Sequence, residues 1–145
     1  MRIINEMKLS FPSKSCNEAF ARSAVSAFIL NLDPTVNELS DLKTAVSEAV
    51  TNCIVHGYGR KNGTIYINGK IAEDGRVIIR VRDKGCGIED VEQAMQPLFT
   101  TAAEEERAGL GFAVMQSFCD SVKVRSTPER GTTVILEKLI GADDR

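Results

Sequence analysis

Paired cysteines, long apolar runs and a dominant sign of charge are all missing from this sequence. Cys16, Cys53, Cys86 and Cys119 lie far apart, and none belongs to a C-x-x-C pair. That spacing argues against a disulfide framework or a zinc site and predicts reduced thiols, mostly small buried side chains, in a cytoplasmic protein. No apolar run approaches the ~20 residues that a membrane helix needs. The opening Met1-Arg2-Ile3-Ile4-Asn5-Glu6-Met7-Lys8 becomes charged too soon for a signal peptide, so none is expected. A net charge of −2 gives no reason to expect nucleic acid or an anionic membrane as a partner. Internal repeats, low-complexity linkers and the phosphate loop G-x-x-x-x-G-K-[ST] are absent too. What remains is 145 residues of ordinary apolar and charged content, read as one domain over 1–145 with a real core.

Periodicity divides the chain into short elements. Met7, Leu9 and Phe11 alternate with Glu6, Lys8 and Ser10 in a half-buried strand that Pro12 ends. Ser15-Cys16-Asn17-Glu18 has the spacing of a capping box and predicts a helix with Phe20, Ala24, Ala27 and Phe28 on its apolar face. Asp33-Pro34 reads as a cap followed by proline in the first turn, opening a second helix that stops at Gly57. Asn62-Gly63 is a turn. Ile65 and Ile67 begin a strand reaching about Ala72, Asp74-Gly75 signals a hairpin, and Val77, Ile79 and Val81 return to Asp83. Residues 89–96 predict a short helix that Pro97 breaks, and residues 97–108, without apolar anchors from Ala102 to Arg107, a mobile loop. A helix then opens at Gly109-Leu110-Gly111, and strands follow at Val122 and from Thr133 to Leu139 around a turn at 128–131. The grouping is α+β: a two-layer sandwich with a mostly antiparallel sheet of four or five strands and helices on one face.

Three stretches carry chemistry. On the second helix, Leu39, Leu42, Val46, Ala49, Val50 and Cys53 form an apolar stripe, and Glu48, Asn52 and His56 stack one turn apart along its edge. A carboxylate there can take a proton, and a carboxamide oxygen can ligate a hard cation. Equally, the edge is simply solvated. Asp83-Lys84-Gly85-Cys86-Gly87-Ile88 puts a carboxylate at a strand end. The alternate glycines let backbone approach a flat heterocycle whose exocyclic amine Asp83 would accept, or the stretch is an ordinary turn. Gly109-Leu110-Gly111 offers free N–H groups at the positive end of a helix, a phosphate site or a plain hinge. Arg107 stands just ahead of it, within reach of a terminal phosphate. Thr132 is either a β-former or a donor toward a buried ligand edge. Glu18 and Arg22, one turn apart, read on their own as a plain surface pair and alternatively as part of a docking surface.

As an ordered set these stretches resemble the GHKL ATPase superfamily of gyrase, Hsp90, histidine kinases and MutL. Glu48 to Asn52 matches its N-box, Asp83 to Gly87 its G1 box and Gly109 to Gly111 its G2 box. Ser47-Glu48-Ala49-Val50-Thr51-Asn52 with His56-Gly57-Tyr58, Gln96-Pro97-Leu98-Phe99-Thr100-Thr101, and Glu106-Arg107-Ala108-Gly109-Leu110-Gly111-Phe112 narrow the likeness to anti-sigma factor serine kinases of the sporulation type, from about residue 5 to 138. The resemblance implies a Bergerat-type fold and a cytoplasmic homodimer that binds ATP or ADP with Mg²⁺. It also implies inhibition of sporulation sigma factor F when ATP is bound, and phosphorylation of a serine on an anti-anti-sigma partner (stage II protein AA). By position, Glu48 would be the general base and Asn52 the Mg²⁺ ligand. Asp83 would take the adenine amine with Thr132 in support, and Gly109 and Gly111 would hold phosphates. Arg107 would meet the γ-phosphate or the docked partner, and residues 97–108 would form the lid. His56, Gly85, Gly87, Ile88, Thr100, Thr101, Leu110 and Phe112 fall inside the matched motifs as further nucleotide contacts. Glu18 and Arg22 match the sigma-binding surface. Ala102 departs from the pattern, because relatives carry a lysine after the threonine pair; Arg107 or Lys84 would have to replace its charge.

Three other readings remain. A general-stress anti-sigma kinase would share every box and differ in surface residues. A pure binding switch would need no base, so Glu48 speaks against it. A histidine kinase catalytic module needs a phosphoaccepting histidine in a separate helical domain. The only histidine here, His56, lies inside the site helix.

Overall fold

The computed structural model describes residues 1–96 and 103–141, and of residues 103–110 the backbone alone. Alternation builds a five-stranded antiparallel sheet in the order β1-β2-β3-β5-β4. The strands are β1 (Ile3–Pro12), β2 (Thr64–Ala72), β3 (Arg76–Asp83), β4 (Ser121–Thr127) and β5 (Gly131–Leu139). Register sets the two faces. Leu9, Ile67, Val81, Val134 and Val124 are successive cross-strand partners, and so are Ser10, Tyr66, Arg82, Thr133 and Arg125. The first row faces the helices; the second, polar and charged, is left uncovered.

Among the described residues, four α-helices complete the layer: α1 (Asn17–Ile29), α2 (Val36–Asn52), α3 (Val91–Met95) and α4 (Ala103–Phe118). Ile29, Leu42, Val46, Val50, Ile67, Ile79, Leu136 and Met115 are buried in one shared core. Each such side chain contributes about 1.5–3 kcal/mol when fully removed from water. The apolar stripe of α2 lies at the centre, flanked by α1 and α4, so its polar edge faces the seam with α4.

The helix ends correct three expectations. Thr35, not Asp33, caps α2: its hydroxyl accepts from Glu38 N at 3.1 Å and Glu38 Oε1 accepts from Thr35 N at 2.8 Å. This reciprocal box satisfies two orphan donors at once, and Asp33 instead closes a 3₁₀ turn (Leu30–Leu32) with a left-handed φ of 54°. The box expected at residues 15–18 does not form. Glu18 turns toward Arg22 and Ser47, and Asn17 Nδ2 ties the chain to Pro12 O at 2.9 Å. Finally, α4 begins at Ala103, not at Gly109. Alanine, glutamate and arginine are strong helix formers, and glutamates suit the positive end of a helix. Propensity there outweighs the lack of apolar anchors on which the loop expectation rested. Residues 97–102 of that loop lie outside the described residues.

Candidate functional site

Where the end of α2 meets the ends of β3 and β5, a cavity of ≈ 260 Å³ opens. Its walls include Asn52, Cys53, His56, Asp83, Ile88 and Phe112. The last turn of α2 continues as a π-turn (Cys53–Gly57), with Tyr58 N donating to Cys53 O at 2.9 Å. Such widenings are frequent at functional sites. Here the turn delivers Gly57 against the Asp83 carboxylate, where an added Cβ would stand 2.6 Å from Oδ2.

Asp83 is the buried acceptor of this cavity. It ends β3 on the helix side of the sheet, paired with Thr132. Gly85 N donates to its Oδ1 at 2.9 Å, and the Thr132 N–H and the Cys53 thiol also donate to the carboxylate. Burial pushes its pKa up, and these hydrogen bonds pull it back. The Cys53 thiol is pushed well above the usual range, first by burial and then by the Asp83 charge, so it stays a protonated donor. Both turn glycines are required by close packing. A Cβ at Gly85 would run into Gly57 O, and one at Gly87, whose φ is 75°, into Thr127 O. Thr132 Oγ1 lies 2.7 Å from Ser126 Oγ, which accepts from Ile88 N at 2.7 Å.

The α2 edge meets α4 beside this cavity. A Cβ added at Gly111 would lie 3.2 Å from both Asn52 amide atoms and 3.4 Å from Glu48 Oε2. Asn52 Nδ2 is buried without a hydrogen bond. Such an orphan is costly unless something else fills the space beside it. Glu48 is raised above the ordinary glutamate range, first by burial and then by the negative charge of Glu18. Glu18 itself accepts from Ser47 Oγ, and Arg22 Nε stands 2.8 Å from Glu18 Oε1 as a charge contact without hydrogen-bond alignment. The pair is therefore more than a surface tether, since it sits one residue from Glu48 across the α1–α2 seam.

The structure thus brings together Glu48, Asn52, His56, Asp83, Gly85, Gly87, Ile88, Gly111, Phe112 and Thr132. Gly109, Leu110 and Arg107 lie within α4, not at its N-terminus, so an opening of the helix at the glycines is not seen. Thr100 and Thr101 lie outside the described residues, as does the Arg107 side chain. Lys84 faces away: its Nζ sits 5.0 Å from the Tyr66 ring centroid, on the uncovered side of the sheet. Sequence reasoning took Cys53 for packing and missed Ser126. Cys53 follows Asn52 directly, but its reach to Asp83 depends on how the helix end meets the strand end. Ser126 becomes visible only when it pairs with Thr132 across β4 and β5.

The donor set suits a purine nucleotide: one buried carboxylate for an exocyclic amine, an apolar slot between Ile88 and Phe112, and an orphan carboxamide beside a glycine. Asn52 fits Mg²⁺ through its Oδ1, not through the unpartnered Nδ2, and Mg²⁺ takes few protein ligands when phosphates and waters complete its shell. No helix among the described residues is long and apolar enough to cross a membrane.

Residues 11–138 match the family profile described as Histidine kinase-like ATPase domain. The chain is 58% identical over 143 residues to the anti-sigma F factor of Thermoanaerobacter sp. (strain X514), covering 99% of both chains. It is 59% identical over 141 residues to the anti-sigma F factor of Caldanaerobacter subterraneus subsp. tengcongensis, covering 97% of this chain and 98% of the relative. Among solved structures, the RsbU and RsbW domains of a Mycobacterium tuberculosis protein match with a TM-score of 0.69 at 18% identity, over 94% of this chain and 33% of that one. At such identity the likeness speaks for the fold alone. A profile spanning most of the residues, and relatives this similar along their whole length, lead to one conclusion: the chain belongs to the histidine kinase-like (GHKL) ATPase family, among the anti-sigma F factors.

Proposed function

We propose that this chain is an ATP-dependent anti-sigma factor and protein serine kinase. As a cytoplasmic homodimer it holds a sporulation sigma factor F through the Glu18–Arg22 surface, and it phosphorylates a serine of an anti-anti-sigma protein. The observation that carries the reading is the meeting of Gly111 with the Asn52 amide and Glu48, beside the cavity that holds Asp83.

In this reading Asp83 accepts the adenine amine, and Ile88 and Phe112 enclose the ring. The glycine at 111 keeps side-chain bulk away from the phosphates. Asn52 would hold Mg²⁺ through its Oδ1, and the ion would supply positive charge to the phosphates. Phosphoryl transfer then depends mostly on positioning and charge. The acceptor serine Oγ bonds to the γ-phosphorus as the bond to the ADP oxygen breaks, and the hydroxyl proton passes to Glu48. Burial and the Glu18 charge, by raising Glu48, make it a better proton acceptor than an exposed glutamate. Arg107 would supply the positive charge that Ala102 does not.

Incubating the chain with γ-labelled ATP, Mg²⁺ and the anti-anti-sigma protein is the direct test. Label on a partner serine is expected. Nucleotide binding without any transfer would reduce the protein to a switch. Retention of sigma factor F on the immobilised chain with ATP, and weaker retention with ADP, is the matching test of the anti-sigma role.

A further inference from the structure

The Asp83–Gly87 turn hangs from the segment that follows α2. One strap is backbone: Cys86 N donates to Gly57 O at 2.8 Å. The other is the phenol of Tyr58. Its O–H donates to Thr64 O at 2.5 Å, and its oxygen accepts from Lys84 N at 2.7 Å. Lys84 is the residue directly after Asp83, so this hydroxyl fixes the point where the chain leaves the carboxylate. The ring is itself held. It covers Gly63, where an added Cβ would run into it. Ser13 Oγ clamps the same segment, accepting from Gly63 N at 2.9 Å and donating to Lys61 O at 3.0 Å. Tyr58 is not among the residues that line the cavity. Burial pushes its pKa up, so it keeps its proton at neutral pH.

We propose that Tyr58 is a positioning residue for base recognition: its hydroxyl pins the Lys84 amide so that Asp83 can read the exocyclic amine of adenine and refuse a purine that carries a carbonyl there. The inference rests on the nucleotide reading above and deepens it. A carboxylate held rigidly against a carbonyl oxygen repels it, and one on a loosened turn swings aside. Rigidity therefore decides discrimination more than it decides the mere ability to bind. Removing one oxygen leaves the cavity wall chemically unchanged and deprives two backbone groups of their shared partner.

The test is calorimetric titration of the full chain and of Tyr58→Phe with ATP and with GTP in Mg²⁺, with thermal melts on the same samples. Wild type is expected to prefer ATP. The variant should bind ATP about two- to threefold more weakly and GTP about two- to threefold more tightly, which together collapse the ratio about five- to tenfold. An unchanged ratio overturns the assignment, whether both affinities persist or both fall together as a general loss of structure would make them. A wild-type chain that binds neither nucleotide overturns the nucleotide reading and this assignment with it. A second measurement decides should the variant not fold. In the wild type, hydrogen exchange at the Lys84 amide should be slow and slowed further by ATP but not by GTP. Exchange as fast as in exposed loops overturns the strap.

Discussion

Glu48, the proposed general base, carries a cost in stability. Its carboxyl is raised above its ordinary pKa of 4.5, so the folded state holds its proton more tightly than the unfolded chain does. Stability from such a group is present below the unfolded pKa and declines as pH rises through the folded one. Glu48→Gln should therefore melt about 1–3 °C higher than wild type at pH 7–8, with the gain vanishing toward pH 4. The same variant should keep ATP affinity and lose ~10²–10⁴-fold in serine phosphorylation; unchanged transfer would remove Glu48 from the mechanism. Asn52→Ala should weaken ATP binding in Mg²⁺ by about tenfold or more and leave binding in EDTA nearly unchanged, because the Asn52 carboxamide oxygen then has no metal to ligate. Equal loss in both conditions would mean that Asn52 only packs. Residue types at these positions were legible beforehand, since a proton acceptor and a carboxamide one turn apart are written within a few residues of each other. The Cys53 thiol on Asp83 was not, because it depends on how a helix end meets a strand end.

At the scale of elements, α2 carries both a stability device and the site, and the two are separable. Thr35→Ala removes the hydroxyl half of the capping box and should cost about 1 kcal/mol. Melting should fall by roughly 2–4 °C with ATP affinity intact. In α4 the opposite separation is expected. Gly111→Ala improves helix propensity by up to ~1 kcal/mol yet places a methyl 3.2 Å from the Asn52 amide. Nucleotide affinity should drop severely while the melting temperature holds or rises, as a titration and a melt on one sample would show. The strands and the span of α2 were readable because periods of two and 3.6 residues need only local information. Element ends were less so. Asp33 was read as the cap that Thr35 supplies, and Glu18 has a partner, Ser47, on another helix that no local pattern reveals. The start of α4 was missed because helical propensity, not core anchoring, carries its first turns.

For the whole molecule, the cavity proposed for the nucleotide joins the end of α2 to strands far away in the chain, so a ligand that fills it should stabilise all the layers together. Mg²⁺–ATP at about 100 times its Kd should raise the melting temperature by roughly 5–10 °C, and Asp83→Ala should abolish the shift. A shift that survived this substitution would place the nucleotide elsewhere. The fold also leaves one sheet face polar and uncovered, and the antiparallel order β1-β2-β3-β5-β4 was expected only as a class, without its order.

The sequence by itself determined the strands, the helices and the chemical types available for a site, because alternation and side-chain chemistry are encoded over a turn or a few residues. Only the tertiary structure decided that Asp83 points to the helix side and that Gly111 lies against Asn52 and Glu48. It also decided that Tyr58 bridges Lys84 and Thr64. Those relations depend on strand register and helix packing between residues distant along the chain. Their free energy comes from closing the whole core, and no local pattern carries it.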